Sequence, residues 1–208
     1  MIRFKAALLF SVLFLACTSA YNVRSPSAAA EVSPSNQFCD IPRNLWNTEG
    51  QPPLLSNSRI VVKKAERKLF LYSGSKLVRT YRIGLGLNPV GDKVREGDRK
   101  TPEGDFYVFT KNDKSAFYLS LGISYPNAAH AERGLRDKLI SKSQYATIIE
   151  ALKVGKAPPQ NTKLGGDIYI HGNGARTDWT WGCVALEDSD IRELFNAVPV
   201  GTPVTIKP

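Results

Sequence analysis

Apolar positions change rhythm twice along the chain, and the two changes divide it into three segments. Ala6 to Ala16 is a run of eleven residues broken only by Ser11 and preceded by Arg3 and Lys5. From Thr18 to Ser58 no period is visible, and Ser, Pro, Asn and Ala dominate. From Arg59 onward short stretches alternate between apolar and polar, as strands with one buried face do. The alternation predicts strands over 59–63, 68–72, 77–84, 105–110, 116–124, 168–170 and 203–206. Leu139, Ile140, Tyr145, Ile148, Ile149 and Leu152 recur at helical spacing and predict a helix over 136–154. A shorter helix is predicted over 191–198. Many strands with turn signals and few helices imply a mainly β sandwich or barrel-like fold carried by residues 59–208.

At about 1.5 Å per residue, the eleven-residue run would span roughly 17 Å of a bilayer core about 30 Å thick. It is too short to cross and fits the apolar part of an export signal over residues 1–17. Two ends fit that signal. Phe14-Leu15-Ala16-Cys17 resembles a bacterial lipobox, with Cys17 the residue to be lipidated; Thr18-Ser19-Ala20 offers a small-x-small cleavage site. Export to the periplasm or cell envelope follows in either case, with a lipid anchor in the first. Residues 18–58, with Pro26, Pro34, Pro42, Pro52 and Pro53, have the composition of a linker. Cys39 lies within it, either as a spare thiol or as a disulfide partner.

Charge and cysteine count narrow the chemistry. The formal charge of +9 falls to +7 once Arg3 and Lys5 are removed, so the remainder stays basic. A basic surface favours polyanions, yet no stretch combines a dense Lys/Arg run with interleaved aromatics, as a nucleic-acid interface would. For an exported protein, a wall polymer bearing carboxylates is the better partner. Three cysteines cannot build a disulfide scaffold. Gly84-Leu-Gly-Leu-Asn-Pro89 starts like a dinucleotide fingerprint, but proline replaces the third glycine and no helix follows to receive a phosphate. Neither a metal nor an organic cofactor is expected. A site made of His171, Cys183 and His130 would lack the close-spaced ligand pairs typical of zinc.

The segment richest in chemistry is Ile170-His171-Gly172, followed by Asp178-Trp179-Thr180-Trp181-Gly182-Cys183-Val184. A thiol attacks well only as thiolate, and a neighbouring imidazole can take its proton and hold a thiolate–imidazolium pair. Glycine before cysteine permits a tight turn in which adjacent amides point toward a developing oxyanion. Taken alone, one histidine and one cysteine also describe a satisfied core histidine and a structural thiol. For them to meet, the loop between them must fold back.

The order of several segments adds to this. Ile60-Val-Val with Leu69-Phe-Leu-Tyr72, the Thr101-Pro-Glu-Gly104 turn, Ile170-His-Gly172, Thr180-Trp-Gly-Cys183 and the closing Gly201-Thr-Pro-Val204 resemble the catalytic domain of the L,D-transpeptidases (the YkuD-like family) over residues 59–207. The resemblance implies a mostly β fold, with a loop between 111 and 167 covering the cleft. It implies Cys183 as nucleophile, His171 as base, the Gly172 carbonyl orienting the imidazole, and amides from Trp181 through Gly182 to Cys183 as oxyanion hole. The implied substrate is a peptidoglycan stem peptide, attacked at its third residue, with loss of D-alanine and acyl transfer to an amine. Hydrolysis by the same residues, as a carboxypeptidase or endopeptidase, is the alternative, and a non-catalytic wall-binding lipoprotein a more distant one. Three features depart from the family. Trp181 stands where histidine is usual, which predicts a bulkier cleft wall. Ala185 stands where arginine is common, so a substrate carboxylate needs another partner; Arg133, Arg136 and Arg176 are candidates. The His171–Cys183 interval is also short. Thr180 keeps the family's Ser/Thr position, and Asp178 is expected to be a hydrogen-bonder within the loop.

Overall fold

The computed structural model describes residues 53–208. The export signal, Cys17, Cys39 and nearly all of the linker lie outside the described residues. Eleven elements follow in chain order: β1 (Ser58–Lys63), β2 (Lys68–Ser73), β3 (Lys76–Arg82), β4 (Gly104–Ser115), β5 (Tyr118–Ile123), α1 (Ala128–Arg136), α2 (Lys142–Lys153), β6 (Tyr169–His171), β7 (Val184–Ala185), α3 (Asp188–Ala197) and β8 (Pro203–Lys207). The strands form one mixed sheet in the order β3-β2-β1-β8-β4-β5-β6-β7, curled into a half-barrel. The mainly β expectation therefore holds.

Alternation explains the first half of the sheet. Ile60 and Val62 of β1, Leu69 and Leu71 of β2, and Val204 and Ile206 of β8 are buried in one core. Their neighbours on the opposite face stay partly or fully exposed. The chain's last strand, β8, enters between β1 and β4, parallel to the first and antiparallel to the second. Leu55 also packs on this core and donates its amide to the Ala197 carbonyl at 2.8 Å.

Three expectations are corrected. The helix expected over 136–154 begins only at Lys142, as α2, and a separate helix, α1, precedes it. Asn127 caps α1, which ends at Asp137, and a Ser141/Gln144 capping box starts α2. Leu139 and Ile140 lie in the turn between the helices; Ile140 and Ile148 share a small second core with Ala131 and Leu164. The stretch 111–167 is not a long loop: it contains the end of β4, β5 and both helices. The strand expected to reach Gly84 stops at Arg82, and Gly84 and Gly86 instead form isolated bridges with Ala185 and Thr180. A Cβ on Gly84 would lie 2.4 Å from the Thr177 carbonyl oxygen, and one on Gly86 2.2 Å from that of Arg99. The glycine pair that mimics a dinucleotide motif thus allows close backbone approach, at Gly84 to Thr177 in the segment before Cys183 and at Gly86 to Arg99.

Candidate active site

β6 and β7 bring His171 and Cys183 to one cavity. They are parallel neighbours, with Ile170 opposite Val184 and His171 opposite Ala185. His171 ends β6, and Cys183 immediately precedes β7. A parallel pair needs a crossover of about a dozen residues, so twelve positions are enough to return the chain beside itself. Both side chains line one cavity of about 320 Å³, whose far wall is the tip of the β4–β5 hairpin. The hairpin tip lies within 111–167, the stretch expected to carry the covering loop.

The crossover is held by polar contacts to its backbone. Asp178 accepts from the Leu85 amide at 2.9 Å and from Arg67 Nη2 at 2.7 Å, the role expected of it. Trp179 Nε1 donates to the Gly174 carbonyl at 3.0 Å. Thr180 Oγ1 donates to the Cys183 carbonyl at 2.8 Å while accepting from the Gly182 amide at 3.2 Å. Gly182 has φ +134°, and a Cβ there would lie 2.8 Å from the Lys100 carbonyl oxygen, so glycine is required. The Gly182 N–H, expected to face an oxyanion, is instead engaged by Thr180.

His171 is 2% exposed. Its Nδ1 lies 2.7 Å from the Gly172 carbonyl oxygen. A carbonyl can only accept, so Nδ1 carries the hydrogen and Nε2 of the neutral ring keeps its lone pair. Phe117 stacks on the imidazole at 4.6 Å between centroids, and Trp179 meets it edge-on at 5.5 Å. Gly172 could not be larger, because a Cβ would lie 2.5 Å from Asp188 Oδ1. Burial pushes the His171 pKa down from its ordinary value, against the pull of the Gly172 carbonyl.

Cys183 is a free thiol with a partly accessible surface. Its Sγ accepts from the Tyr169 amide at 3.4 Å and donates to the Asp167 carbonyl at 3.5 Å. Burial pushes the thiol up to about 11; the Asp167 carboxylate adds to the rise, while the Tyr169 amide and Lys93 oppose it. Both shifts favour the neutral thiol and neutral imidazole over the thiolate–imidazolium pair expected from the sequence.

Sequence reasoning missed several contributors. Thr101, read as part of a turn, is fully buried; it accepts from the Gly86 amide at 3.0 Å and points Oγ1 at the Cys183 carbonyl, 3.4 Å away. Lys64 anchors that turn from below, donating to the Thr101 carbonyl at 2.9 Å and to Glu103 at 2.8 Å. Thr101 and Thr180 thus grip the same carbonyl from two sides. The Thr101-Pro-Glu-Gly104 wording pointed here, but a turn motif does not reveal what its hydroxyl touches. Phe117, Ser120 and Lys114 also line the cavity and carry no local signal.

Several candidates are placed elsewhere. Trp181 is 72% exposed, with the Arg99 guanidinium 5.3 Å from its ring, and is not among the cavity-lining residues. The expected bulkier cleft wall does not form. Arg133 is bound to Asp92 at 2.8 Å and to the Lys93 carbonyl at 2.6 Å. Arg136 is exposed beside Asp137. Arg176 lines a separate, polar depression of about 450 Å³ with Thr177, Glu187 and Asp188; neither Cys183 nor His171 contributes to it. His130 lies in α1, bonded to Asn127 and Asp92, away from the thiol.

Comparison with known proteins agrees with this arrangement. The family model for the L,D-transpeptidase catalytic domain (YkuD) matches residues 57–206. The chain is 34% identical over 88 residues to the putative L,D-transpeptidase YafK of Escherichia coli strain K12, a match that spans 39% of this chain and 35% of that protein. Among solved structures, the helical cell shape determining protein Pgp2 (K307A mutant) of Campylobacter jejuni superposes with TM-score 0.51 at 23% identity, over 73% of this chain and 47% of that one. An L,D-transpeptidase of Mycobacterium smegmatis aligns at 11% identity with TM-score 0.44, over 73% of this chain and 59% of that one. With the family model covering residues 57–206, the chain belongs to the YkuD family of L,D-transpeptidase catalytic domains.

Proposed function

We propose that this chain is a cysteine-dependent L,D-transpeptidase of the cell envelope, acting on peptidoglycan stem peptides. The observation that carries the proposal is the Nδ1–Gly172 hydrogen bond, which leaves Nε2 of His171 as a proton acceptor in the same cavity as Cys183. Cys183 Sγ attacks the carbonyl of the third stem residue as its proton passes to Nε2. The amide of Cys183 itself meets the oxyanion, because the Gly182 amide is already engaged. Collapse breaks the peptide bond, and the imidazolium protonates the departing D-alanine amine. An amine acceptor then loses its proton to Nε2 and attacks the thioester, regenerating the thiol.

No direct hydrogen bond joins the two side chains at rest. Catalytic contacts often tighten only with substrate bound. The neutral pair suits this order of events, since the nucleophile is generated at the moment of use.

The test is mass spectrometry of purified stem tetrapeptide incubated with the protein, with and without an amine acceptor. A crosslinked product that vanishes in Cys183→Ala, whose melting temperature stays near wild type, is expected. Loss of alanine without coupling would assign hydrolysis instead, and no conversion would overturn the proposal. Residues 1–17 are proposed to direct export, with Cys17 as the lipid attachment point. Labelled palmitate should enter the wild type and not Cys17→Ser.

A further inference from the structure

Outside the thiol cavity, the chain displays an aromatic ring that the reaction leaves unused. Trp181 is 72% exposed, and an indole left in water is a large apolar area for a surface to carry. Its neighbours extend it into a platform. The Leu87 amide donates to the Thr180 carbonyl at 3.0 Å, which sets Leu87, itself 48% exposed, alongside. The Arg99 guanidinium lies 5.3 Å from the centre of the indole ring. Residues 99 and 100 pass against the glycines on either side: a Cβ on Gly86 would meet the Arg99 carbonyl oxygen at 2.2 Å, and one on Gly182 that of Lys100 at 2.8 Å. Among the described residues no carboxylate pairs with Arg99 or Lys100. The result is an apolar face rimmed by two open cations, joined through Gly182 to the nucleophile.

We infer that this strip is a subsite for the amino sugar that carries the stem peptide, the sugar ring stacking on Trp181 and Leu87 while Arg99 and Lys100 donate to its oxygens. The inference rests on the proposed acyl-donor reaction and deepens it, by extending the recognised substrate from peptide to glycan. Reach is the first argument. Two residues separate the attacked third stem residue from the sugar, and at about 3.3–3.6 Å per residue they set it roughly 10 Å from the reacting carbonyl. Trp181 is two residues from Cys183, so their Cα atoms are at most about 7.6 Å apart. The indole therefore lies within the radius that the tethered sugar occupies. Surface chemistry is the second argument. A pyranose presents a face of C–H groups and a rim of hydroxyl and acetamido oxygens, so it matches an apolar plane with donors at its edge. Guanidinium and ammonium are donors only. An anionic membrane is read by clusters of about four to eight cations, and two stand at this rim. Trp181 also stands where the family usually has histidine, so the platform belongs to this chain rather than to the family pattern.

The experiment compares the free stem tetrapeptide with the same peptide carried on its N-acetylglucosaminyl–N-acetylmuramyl disaccharide. One stacked ring is worth about tenfold, so the wild type should favour the disaccharide form by about that factor in kcat/KM. Trp181→Ala should bring the ratio of the two close to one, Trp181→Phe should keep most of it, and Arg99→Ala should lower it partway. Equal turnover of the two substrates by the wild type, or an unchanged ratio in Trp181→Ala, would overturn the inference while leaving the reaction intact. If neither substrate reacts, the reaction proposal fails, and binding decides the subsite. The peptide-free disaccharide is then titrated into Cys183→Ala while the indole N–H resonances are followed. A saturable shift of the Trp181 resonance supports the inference. No shift, or a shift produced only by anionic phospholipid vesicles, overturns it.

Discussion

The two ends of the sheet are built on different principles. At one end β1, β2, β3 and β8 are strands of five to seven residues whose alternate side chains fill a common core. At the other, β6 and β7 have only three and two residues, and the segment joining them is held by directional polar contacts, the Arg67–Asp178 ion pair and hydrogen bonds to carbonyl oxygens. Burial is non-directional and sums over area, so the first end tolerates small errors of placement. A hydrogen bond weakens steeply with distance and angle, so the second end fixes the backbone that carries Cys183. Stability is concentrated at one end and alignment at the other.

Mutations should separate the two. Leu71, fully buried in the first end, is expected to give the largest stability loss. Leu71→Ala should cost about 2–5 kcal/mol and lower the melting temperature by roughly 5–15 °C in a domain of this size. Activity per folded molecule should change little. Gly182→Ala should do the reverse. Its Cβ cannot fit beside the Lys100 carbonyl without moving the residue that precedes Cys183. Turnover should fall at least tenfold, whereas strain at one positive-φ position costs only about 1–3 kcal/mol. Melting curves paired with active-site titration would check both; equal losses of stability and turnover in the two variants would erase the distinction.

The contrast also explains what the sequence disclosed. Strands in the first end were legible because Ile60, Val62, Leu69 and Leu71 alternate, and a period survives in one dimension. α1 was not, because it buries only His130, Ala131 and Gly134 and shows no apolar stripe. His171, Gly172 and Cys183 were legible through their local wording. Thr101 and Lys64 were not, because their partners Cys183 and Thr101 lie 82 and 37 positions away. Trp181 misled for a related reason. Proximity to Cys183 in sequence implied the cleft, but the positive φ of the intervening Gly182 turns the chain, and the indole ends on the surface. Arg133 misled similarly: charge type is visible in a sequence, while its engagement by Asp92 is not.

Smaller effects should come from the grip on the Cys183 carbonyl. Thr180→Val and Thr101→Val each remove one donor to that oxygen, at 2.8 Å and 3.4 Å respectively. A net hydrogen bond is worth about 0.5–1.5 kcal/mol, so kcat should fall about three- to tenfold, more for Thr180 than for Thr101. KM should move little. An unchanged kcat in both would mean that the carbonyl grip does not align the thiol.

The smallest expected effect is a pH signature that belongs to the alignment end alone. His171 has a folded-state pKa below its ordinary value, so between the two values the unfolded chain binds more protons. Its contribution to stability is then complete above about 6.5 and is lost as pH falls through the lowered folded value. Cys183 behaves in the opposite sense. Its folded value is raised from 9.0 to about 11, so its contribution is present below the ordinary thiol value and is lost as pH rises. Stability should therefore show a plateau bounded by these two groups. Asp92 and Asp98 are held below the usual carboxylate range, chiefly by His130 and Lys93 acting against burial, so their losses come at more acid pH than that of His171. Melting temperatures measured from pH 4 to 10 should show a shallow acid limb that flattens in His171→Gln and an alkaline limb that flattens in Cys183→Ser. Leu71→Ala should shift the whole curve down and leave both limbs in place. An acid limb that persists unchanged in His171→Gln would show that His171 does not set it.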